Sequence, residues 1–330
     1  MRISVVIPVR NEEHTIIELL NSLKTQTLTP AEIIIADGGS TDRTIEMIEG
    51  SDRGPLTIHL IRGEQGFPGR GRNLGTARAV NEWVAFIDAG VKPSRQWLSS
   101  LAAVAEKPGV DVVYGSYEPV TNTLFEECAA IAFVPPPVNM GSHSIRTRST
   151  ASTIIRRNVW EAVGGFPEDL RSAEDLVFMN RIDEAGFRTA HAPEALVRWS
   201  IQPTLWKTFR RFTTYSHYNI RAGLWRSWQA RILLRYGLLA ILILPVFFVG
   251  ARWLLVPITY LLLMLSARAL IALRRNMTCY PASLPRYLVR FAVIVPILAV
   301  IDLAAIAGCI QWLLTDRSLT EKNTSVVQGV

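Results

Sequence analysis

The sequence predicts an α/β domain with a mainly parallel sheet, followed by an α-helical membrane domain. In the first part of the chain, short apolar runs rich in Val and Ile alternate with segments of helical periodicity, which is the pattern of βαβ units. After Trp199 the chain becomes aromatic and basic, and then almost continuously apolar. Long apolar runs of this kind are typical of helices that cross a bilayer.

The predicted sheet begins with the β-branched run of residues 3–9, which is followed by a helical pattern over residues 11–25. Further strands are predicted at residues 32–36, 56–61 and 83–87, with helices at residues 41–48 and 71–81. Sheets of this kind bind ligands at the carboxyl ends of their strands, where Asp37 and Asp88 stand. Residues 118–150 contain three consecutive prolines and predict a long ordered loop or a mobile lid.

The charge distribution separates two parts of the chain. The formal net charge is +7, yet residues 195–301 contain 14 basic residues and no acidic one. An apolar-rich composition with 19% charged residues excludes a disordered chain, and a basic block that is also apolar favours a membrane surface over nucleic acid. Three cysteines without a CxxC spacing and an N-terminus unlike a signal peptide predict an N-terminal domain in the cytosol.

The second part of the chain predicts attachment to a membrane. Residues 201–231 predict amphipathic interfacial helices, with a surface helix packed on its own domain as the alternative. Residues 232–315 predict about three transmembrane helices, of which the first two could instead be re-entrant or shallow, and residues 316–330 predict a flexible tail. Arginines between the second and third apolar runs predict a multi-pass protein of the cell membrane with its N-terminal domain in the cytosol.

Two charged residues, Arg268 and Asp302, fall within the apolar runs. Because charge is costly in lipid, we expect them to face protein or a cavity, where they pair with each other or help to seat a lipid headgroup. The alternative is an interfacial or interhelical position from which the side chains reach water.

A series of motifs resembles the family-2 glycosyltransferases. They are SVVIPVRNEEHTIIELLNSL, EIIIADGGSTDRTIEMI, GRNLGTARAVNEWVAFIDAG, TIIRRNVWEAVGGFPEDL and AEDLVFMNRIDEAGFR. Each motif alone is weakly specific, but their order and spacing are highly specific, and together they cover residues 3–200. The resemblance implies that residues 1–200 form a GT-A glycosyltransferase domain. Such a domain uses a nucleotide-sugar donor and inverts the configuration at the anomeric carbon of the sugar.

The resemblance also implies a nucleotide site. Pro8 and Arg10 would place backbone groups over the nucleotide, and Glu13 would lie near its base and ribose. Asp37 matches the carboxylate that accepts a hydrogen bond from the base. Asp42 matches a position that shapes this pocket, and the alternative for Asp42 is a helix N-cap.

Arg72 matches the arginine that meets the donor diphosphate, with a surface ion pair as the alternative. Asp88-Ala89-Gly90 stands at the family's DxD position, where Asp88 would be a metal ligand and substrate contact, but the third residue is Gly90.

The family's histidine after the last strand is replaced by Val197-Arg198-Trp199, and nearby His191 is expected to be structural. A divalent cation, Mg²⁺ or Mn²⁺, therefore remains an open prediction, with Arg70, Arg72 or Arg198 as alternative sources of positive charge.

Glu174 and Asp175 match the family's acidic pair, of which Asp175 is the general base. The alternative is that both cap the helix that follows, which contains Arg181. Gly165 belongs to a Gly-Gly-Phe turn that in the family lies by the sugar and acceptor, although its glycines could simply permit a tight turn.

These observations favour a membrane-bound inverting glycosyltransferase that acts on a lipid or lipid-linked acceptor. The partners implied are the nucleotide-sugar donor, that acceptor and the membrane, without nucleic acid. One alternative is a processive polysaccharide synthase, but residues 208–212 contain only the arginine of its QxxRW motif. The other is a non-catalytic sugar-nucleotide-binding pseudo-transferase, which the incomplete DxD position favours and the intact acidic pair opposes.

Overall fold

The computed structural model describes residues 1–140, 143–146 and 148–327. The chain divides into two compact units, of which unit 1 holds residues 1–120 and 137–200, and unit 2 holds residues 121–136 and those from 201 onward. Residues 141, 142 and 147 of the predicted loop and residues 328–330 of the predicted tail lie outside the described residues.

Unit 1 contains the sheet that the sequence predicts. Its strands are β1 (Ile3–Val9), β2 (Glu32–Asp37), β3 (Ile58–Arg62), β4 (Trp83–Phe86), β5 (Val91–Pro93), β6 (Val112–Val120), β7 (Val138–Met140), β8 (His143–Ile145), β9 (Thr153–Arg156) and β10 (Thr189–Ser200). Eight strands form one sheet in the order β3-β2-β1-β4-β9-β6-β10-β5, and β7 pairs with β8. β5 and β9 run antiparallel to their neighbours, while the other six strands share one direction.

Helices connect these strands and form unit 2. They are α1 (Ile16–Lys24), α2 (Thr44–Glu49), α3 (Pro68–Arg78), α4 (Trp97–Ala105), α5 (Leu124–Phe133), α6 (Arg157–Ala162), α7 (Glu174–Glu184), α8 (Leu205–Arg221), α9 (Gln229–Ile243), α10 (Val246–Val249), α11 (Leu255–Arg275) and α12 (Leu284–Val327). The predicted α/β fold class with a following helical domain is confirmed.

Helices cover both faces of the large sheet in unit 1. On one face, Leu20 of α1 and Trp97 of α4 are buried in a cluster with β1 and β2. On the other face, Val159 of α6 and Phe178 of α7 are buried with Phe86 of β4. Strands covered on both sides are apolar along their length, which is why the polar residues of this unit collect at strand ends.

Unit 2 includes α5, which lies within the segment that we interpret from the sequence as a loop or lid. The α5 N-terminus is a capping box, in which the Glu126 N–H donates to Thr123 Oγ1 at 3.2 Å and the Thr123 N–H donates to Glu126 Oε2 at 3.1 Å. Within the same unit, Arg286 and Arg290 of α12 pair with Glu127 of α5.

Three helical segments of unit 2 are long and apolar enough to cross a membrane, namely Gln229–Val249, Ala251–Arg275 and Leu284–Asp316. Their number agrees with the sequence prediction. Arg268 of α11 donates to the buried Asp302 of α12, and the Tyr236 hydroxyl of α9 donates to the same carboxylate at 3.2 Å. The two charges of the apolar runs are therefore paired within the protein. The predicted limits of the domains, interfacial helices and tail stay predictions.

Candidate active site

The candidate site lies at the carboxyl edge of the sheet in unit 1. Asp37 is the last residue of β2 and stands in register with Val9 at the end of β1. Asp88 follows β4, which is parallel to β1. Because the carboxyl ends of parallel strands share one edge, the fold brings these two aspartates to the same side of the sheet.

Hydrogen bonds join the loops that follow β1 and β2. The Asn11 N–H donates to Ser40 Oγ at 3.0 Å, and Asn11 Oδ1 accepts from the Thr41 N–H at 2.8 Å. Asn11 has a φ of 56°, a left-handed conformation that asparagine tolerates better than most residues. Beside it, the Glu13 N–H donates to Asp42 Oδ2 at 3.2 Å. These three hydrogen bonds tie the two loops together, and the loops form one wall of the edge.

The predicted nucleotide residues lie in or next to these loops. Asp37 is buried and accepts hydrogen bonds from the N–H groups of Gly39 and Ser40 and from the Ser40 hydroxyl, at 2.6–3.2 Å. Pro8 is half-buried within β1, and Arg10 is exposed directly after it. Glu13 Oε2 accepts from the Arg43 N–H at the start of α2 at 3.2 Å.

Asp42 has a structural role at the start of α2. Its Oδ1 accepts from the Thr44 N–H at 3.0 Å and from the Thr44 hydroxyl at 2.5 Å. Desolvation is the largest single influence and raises the pKa of Asp42, but the hydrogen bonds from Thr44 and Glu13 together outweigh it, so the pKa lies below the ordinary value. Asp42 therefore bonds to the first residue of α2, as the N-cap alternative predicts in part. The bond from the Glu13 N–H to Asp42 also connects it to the loop after β1.

A buried arginine joins carboxylates from two distant parts of the chain. Arg72 of α3 exposes 3% of its side chain; its Nη1 donates to Glu174 Oε1 at 2.7 Å and its Nη2 to Asp88 Oδ1 at 2.7 Å. Burial lowers the pKa of Arg72, but the negative charges of Asp88 and Glu174 outweigh burial and raise it. The guanidinium is therefore a permanent buried cation and not the surface ion pair considered from the sequence.

Asp175 stands next to this cluster in the first turn of α7. Loss of water around its carboxyl, followed by the negative charge of Glu174, raises the pKa of Asp175 from 3.8 to about 6. The charge of Arg72 and the Leu176 N–H oppose this rise. A carboxylate with a raised pKa, still mostly ionised at neutral pH, is suited to remove a proton.

The Gly-Gly-Phe turn borders the same cluster. Gly165 has a φ of +67°, and a Cβ added there would lie 2.7 Å from Asn73 Oδ1, so both conformation and space require glycine. The Gly165 carbonyl accepts from Arg181 Nη1 of α7 at 3.2 Å. The structure thus brings Gly165 and Arg181 together with the acidic pair of α7.

Few carboxylates are placed to hold a divalent cation. Within the described ranges, no group of three His, Cys, Asp or Glu side chains could hold a metal ion. Asp88 shares one oxygen with Arg72, and a Cβ added at Gly90 would have Glu12 Oε2 as its neighbour at 4.0 Å. Burial and the nearby charge of Asp88 raise the pKa of Glu12. These oxygen donors suit Mg²⁺ or Mn²⁺ only if donor phosphates and water complete the shell.

The remaining candidates lie elsewhere in unit 1. His191 packs beside Tyr114, with ring centroids 6.0 Å apart, and burial followed by the charge of Arg148 lowers its pKa. Arg198 pairs with Glu118 at 3.8 Å, and Arg70 lies 3.9 Å from Glu64. His191 and Arg198 of β10 thus contact residues of β6, and Arg70 pairs with a residue of the loop before α3. Among the described residues, none of the three forms an ion pair with Asp88.

The sequence motifs did not single out Asn11, Glu12 or Trp160, which the structure brings to the site, and they gave Asn73 only as the second residue of the family's Arg-Asn pair, without a role. Asn11 and Glu12 lie two and three residues after the first predicted strand, and Asn73 adjoins Arg72. Their positions in the sequence, close to a strand end or next to Arg72, were the signal that could have identified these three residues as part of the site. For Trp160, whose Nε1 donates to Asn73 Oδ1 at 2.9 Å, the sequence carries no comparable signal.

Comparison with known families finds two overlapping matches. The model described as Glycosyl transferase family 2 matches residues 4–161, which include Asp37, Arg72 and Asp88. The model described as Glycosyl transferase family group 2 matches residues 83–271, more than half of the chain, and includes Glu174 and Asp175.

Curated relatives and solved structures are similar to parts or most of the chain. Glycosyltransferase AglE of Haloferax volcanii is 31% identical over 204 residues, covering 59% of this chain and 65% of that protein. Poly(ribitol-phosphate) beta-N-acetylglucosaminyltransferase TarS of Staphylococcus aureus is 30% identical over 186 residues, covering 54% of this chain and 32% of TarS. The chain thus spans less than two thirds of the length of these relatives. The mannosyltransferase PcManGT of Pyrobaculum calidifontis, solved with GDP-Man and Mn²⁺, has the same fold, with a TM-score of 0.58 and 20% identity over 94% of this chain and 87% of that one.

Proposed function

This chain belongs to Glycosyl transferase family group 2, and on that premise we propose that it is a membrane-bound inverting glycosyltransferase. It moves a sugar from a nucleotide-sugar donor to a lipid or lipid-linked acceptor. The observation that carries the proposal is the buried Arg72, which pairs with Asp88 and Glu174 beside the raised-pKa carboxyl of Asp175.

The nucleotide binds against the joined loops after β1 and β2. An ionised carboxylate offers about four acceptor positions, so Asp37 can accept from a base N–H in addition to the bonds within its own turn. Pro8, Arg10 and Glu13 border the base and ribose in this arrangement. Asp42 keeps the loops together through the Glu13 N–H.

The donor diphosphate meets Arg72 at the edge between β1 and β4. At 3% exposure the guanidinium is weakly screened by water, so each of its interactions with an anionic group is stronger than at the surface, and donor phosphate oxygens would share it with Asp88 and Glu174. Its two carboxylate partners hold it in one orientation before the donor arrives. Preorganised charge of this kind stabilises the negative charge that develops on the leaving nucleoside diphosphate.

Asp175 is the general base of the transfer. Its carboxylate takes the proton of the acceptor hydroxyl while the acceptor oxygen forms a bond to the anomeric carbon from the face opposite the diphosphate. The carbon–oxygen bond to the diphosphate breaks, and the leaving group departs with the bonding electron pair. Gly165 and Arg181 lie beside the sugar and acceptor, where the turn and α7 limit their approach.

A divalent cation is compatible with the donor set at Asp88. When bound, it would neutralise charge on the diphosphate, with Asp88 as a protein ligand and the remaining ligands from phosphate and water. The carboxylate of Glu12 lies close enough to Asp88 to add negative charge at the position of the cation. Metal dependence is tested directly by chelation.

The membrane helices support a lipid or lipid-linked acceptor. Three apolar segments of unit 2 and a block of 14 basic residues without an acidic one would keep the catalytic domain at a membrane surface. Positive loops remain in the cytosol, which supports a cytosolic catalytic domain in the cell membrane. An acceptor confined to that surface would meet the enzyme at high effective concentration.

The test uses full-length protein in nanodiscs, a panel of radiolabelled nucleotide sugars and a lipid extract, with and without EDTA. We expect one donor to label the organic phase in a protein-dependent manner. The variant Arg72→Met should strongly reduce labelling, while Arg78→Met, which replaces an exposed arginine of the same helix, should not. Absence of turnover from every donor contradicts an enzyme, and label found only in water-soluble products contradicts the lipid acceptor.

A further inference from the structure

The ring of Phe166 lies beside the guanidinium of Arg72. It stacks on Phe178 with ring centroids 3.8 Å apart and meets the edge of Phe86 at 5.3 Å. The guanidinium carbon of Arg72 lies 5.4 Å from the centre of the same ring. Because a cation over an aromatic face is attracted to it, the position of Phe166 helps to set the position of the guanidinium.

Asn73, the residue after Arg72 on α3, holds the backbone of Phe166. Asn73 Oδ1 accepts from the Phe166 N–H at 2.9 Å, and Asn73 Nδ2 donates to the Phe166 carbonyl at 2.9 Å. The same side chain accepts from Trp160 Nε1 at 2.9 Å and donates to Glu168 Oε1 at 2.8 Å. These four bonds use the full donor and acceptor capacity of a carboxamide.

The contact between α3 and this turn is too close to adjust easily. A Cβ added at Gly69 would lie 2.1 Å from the Pro167 carbonyl oxygen, so the backbones of the two segments touch there. One turn further along the helix, Asn73 makes its paired bonds to Phe166. The helix that carries Arg72 is thus fastened to the segment that carries its aromatic support.

We propose that Asn73 is a positioning residue, which by holding the backbone of Phe166 keeps the guanidinium of Arg72 between Asp88 and Glu174 and beside Asp175. It acts through Phe166 and Arg72 rather than on the substrate. The inference deepens the proposed function and rests on it where turnover is measured.

The test compares Asn73→Ala with Asn81→Ala in the full-length protein. Asn81 is also a buried, hydrogen-bonded asparagine of unit 1, and its Nδ2 donates to Ser4 Oγ at 3.0 Å near the opposite end of β1. A third variant, Trp160→Phe, removes one bond to Asn73 and keeps an aromatic ring. It carries the test if Asn73→Ala does not fold.

We measure kcat, KM and the pH dependence of kcat for each variant. Asn73→Ala should lower kcat about tenfold, because a displaced Arg72 stabilises the leaving group less. It should also move the acid limb to higher pH, since the nearby cation lowers the pKa of Asp175. Activity at about pH 6 relative to pH 8 should therefore fall by a further factor of about three. Trp160→Phe should lower kcat and move the acid limb to higher pH by smaller amounts than Asn73→Ala. Asn81→Ala should change neither kcat nor the acid limb.

An acid limb in Asn73→Ala that coincides with the wild type overturns the inference, as does an equal shift in Asn81→Ala. If the wild type transfers no sugar, the proposed function fails, and the inference is tested by following the Asp175 carboxyl with carbon-13 NMR. The pKa of Asp175 should then rise in Asn73→Ala and not in Asn81→Ala. An unchanged titration in both variants overturns the inference independently of activity.

Discussion

Replacement of Glu174 by Gln should move the acid limb of sugar transfer to lower pH. Desolvation and then the negative charge of Glu174 raise the pKa of Asp175 from 3.8 to about 6. Gln keeps an oxygen that can accept from Arg72 Nη1, now at 2.7 Å from Glu174 Oε1, but it removes the negative charge. The pKa of Asp175 should therefore fall, while desolvation keeps it above the ordinary value.

The size of the effect follows from the ionised fraction of Asp175. A base with a pKa of about 6 is about nine-tenths ionised at pH 7 and about one-tenth ionised at pH 5, so wild-type kcat/KM should fall roughly tenfold over this range. If the pKa in Glu174→Gln falls by about one pH unit, the decrease over the same range is only about twofold. Arg72→Met should have the opposite effect, because it removes the cation that lowers this pKa.

The assay is kcat/KM for sugar transfer from about pH 4.5 to pH 8.5, with the donor identified in the panel. Arg72→Met needs sensitive detection of residual transfer. Glu46→Gln, which removes an exposed carboxylate on α2, is the matched control and should leave the limb in place. Limbs that shift in the same direction in Glu174→Gln and Arg72→Met would refute the assignment of Asp175 as the titrating base.

Three further outcomes test the site and the helical unit. Asp175→Asn should raise the melting temperature at neutral pH. Because the pKa of Asp175 is higher in the folded protein than 3.8, its ionised carboxyl lowers the free energy of unfolding by on the order of 1–3 kcal/mol at neutral pH, and this loss disappears as the pH falls from about 6 towards 4. Gly165→Ala should lower the melting temperature by more than Gly186→Ala, since both glycines have positive φ but a Cβ meets an atom at 2.7 Å only at Gly165. In nanodiscs, the single variant Arg268→Leu should be less stable than the double variant Arg268→Leu, Asp302→Leu. The single variant leaves the buried Asp302 carboxylate without its cation, which lowers the free energy of unfolding by about 3–5 kcal/mol. Equal melting temperatures of the two variants would contradict this prediction.

Much of unit 1 is readable from the sequence because its strands are buried on both faces. Continuous β-branched runs mark β1 and β2, and the first polar residues after them fall at the sheet edge, as with Asp37. The antiparallel strands β5 and β9 have only three and four residues, and their direction is set by pairing with strands distant in the chain, β10 for β5 and β4 and β6 for β9. The capping box of α5, Thr123 with Glu126, was readable, but the prolines that follow it favoured a loop interpretation.

The central cluster of the site depends on contacts that no local pattern contains. Arg72 and Glu174 are 102 residues apart in the chain, and only the packing of α3 against α7 brings them to 2.7 Å. The roles of Arg72 and Asp175 were expected from a family resemblance, whereas the burial of Arg72 and the raised pKa of Asp175 come from the fold. Asn73 shows the same limit, because an asparagine on a helix gives no indication that it binds the backbone of Phe166.

The chemistry proposed for the site depends most directly on Asp175 as the base of an inverting sugar transfer. The decisive measurement compares wild type and Asp175→Asn for donor binding, by calorimetry, and for transfer to the acceptor, by product formation. We expect donor affinity to stay within about threefold and transfer to fall by about 10²–10⁴-fold, as for the loss of a general base. Transfer at the wild-type rate by Asp175→Asn would contradict the account.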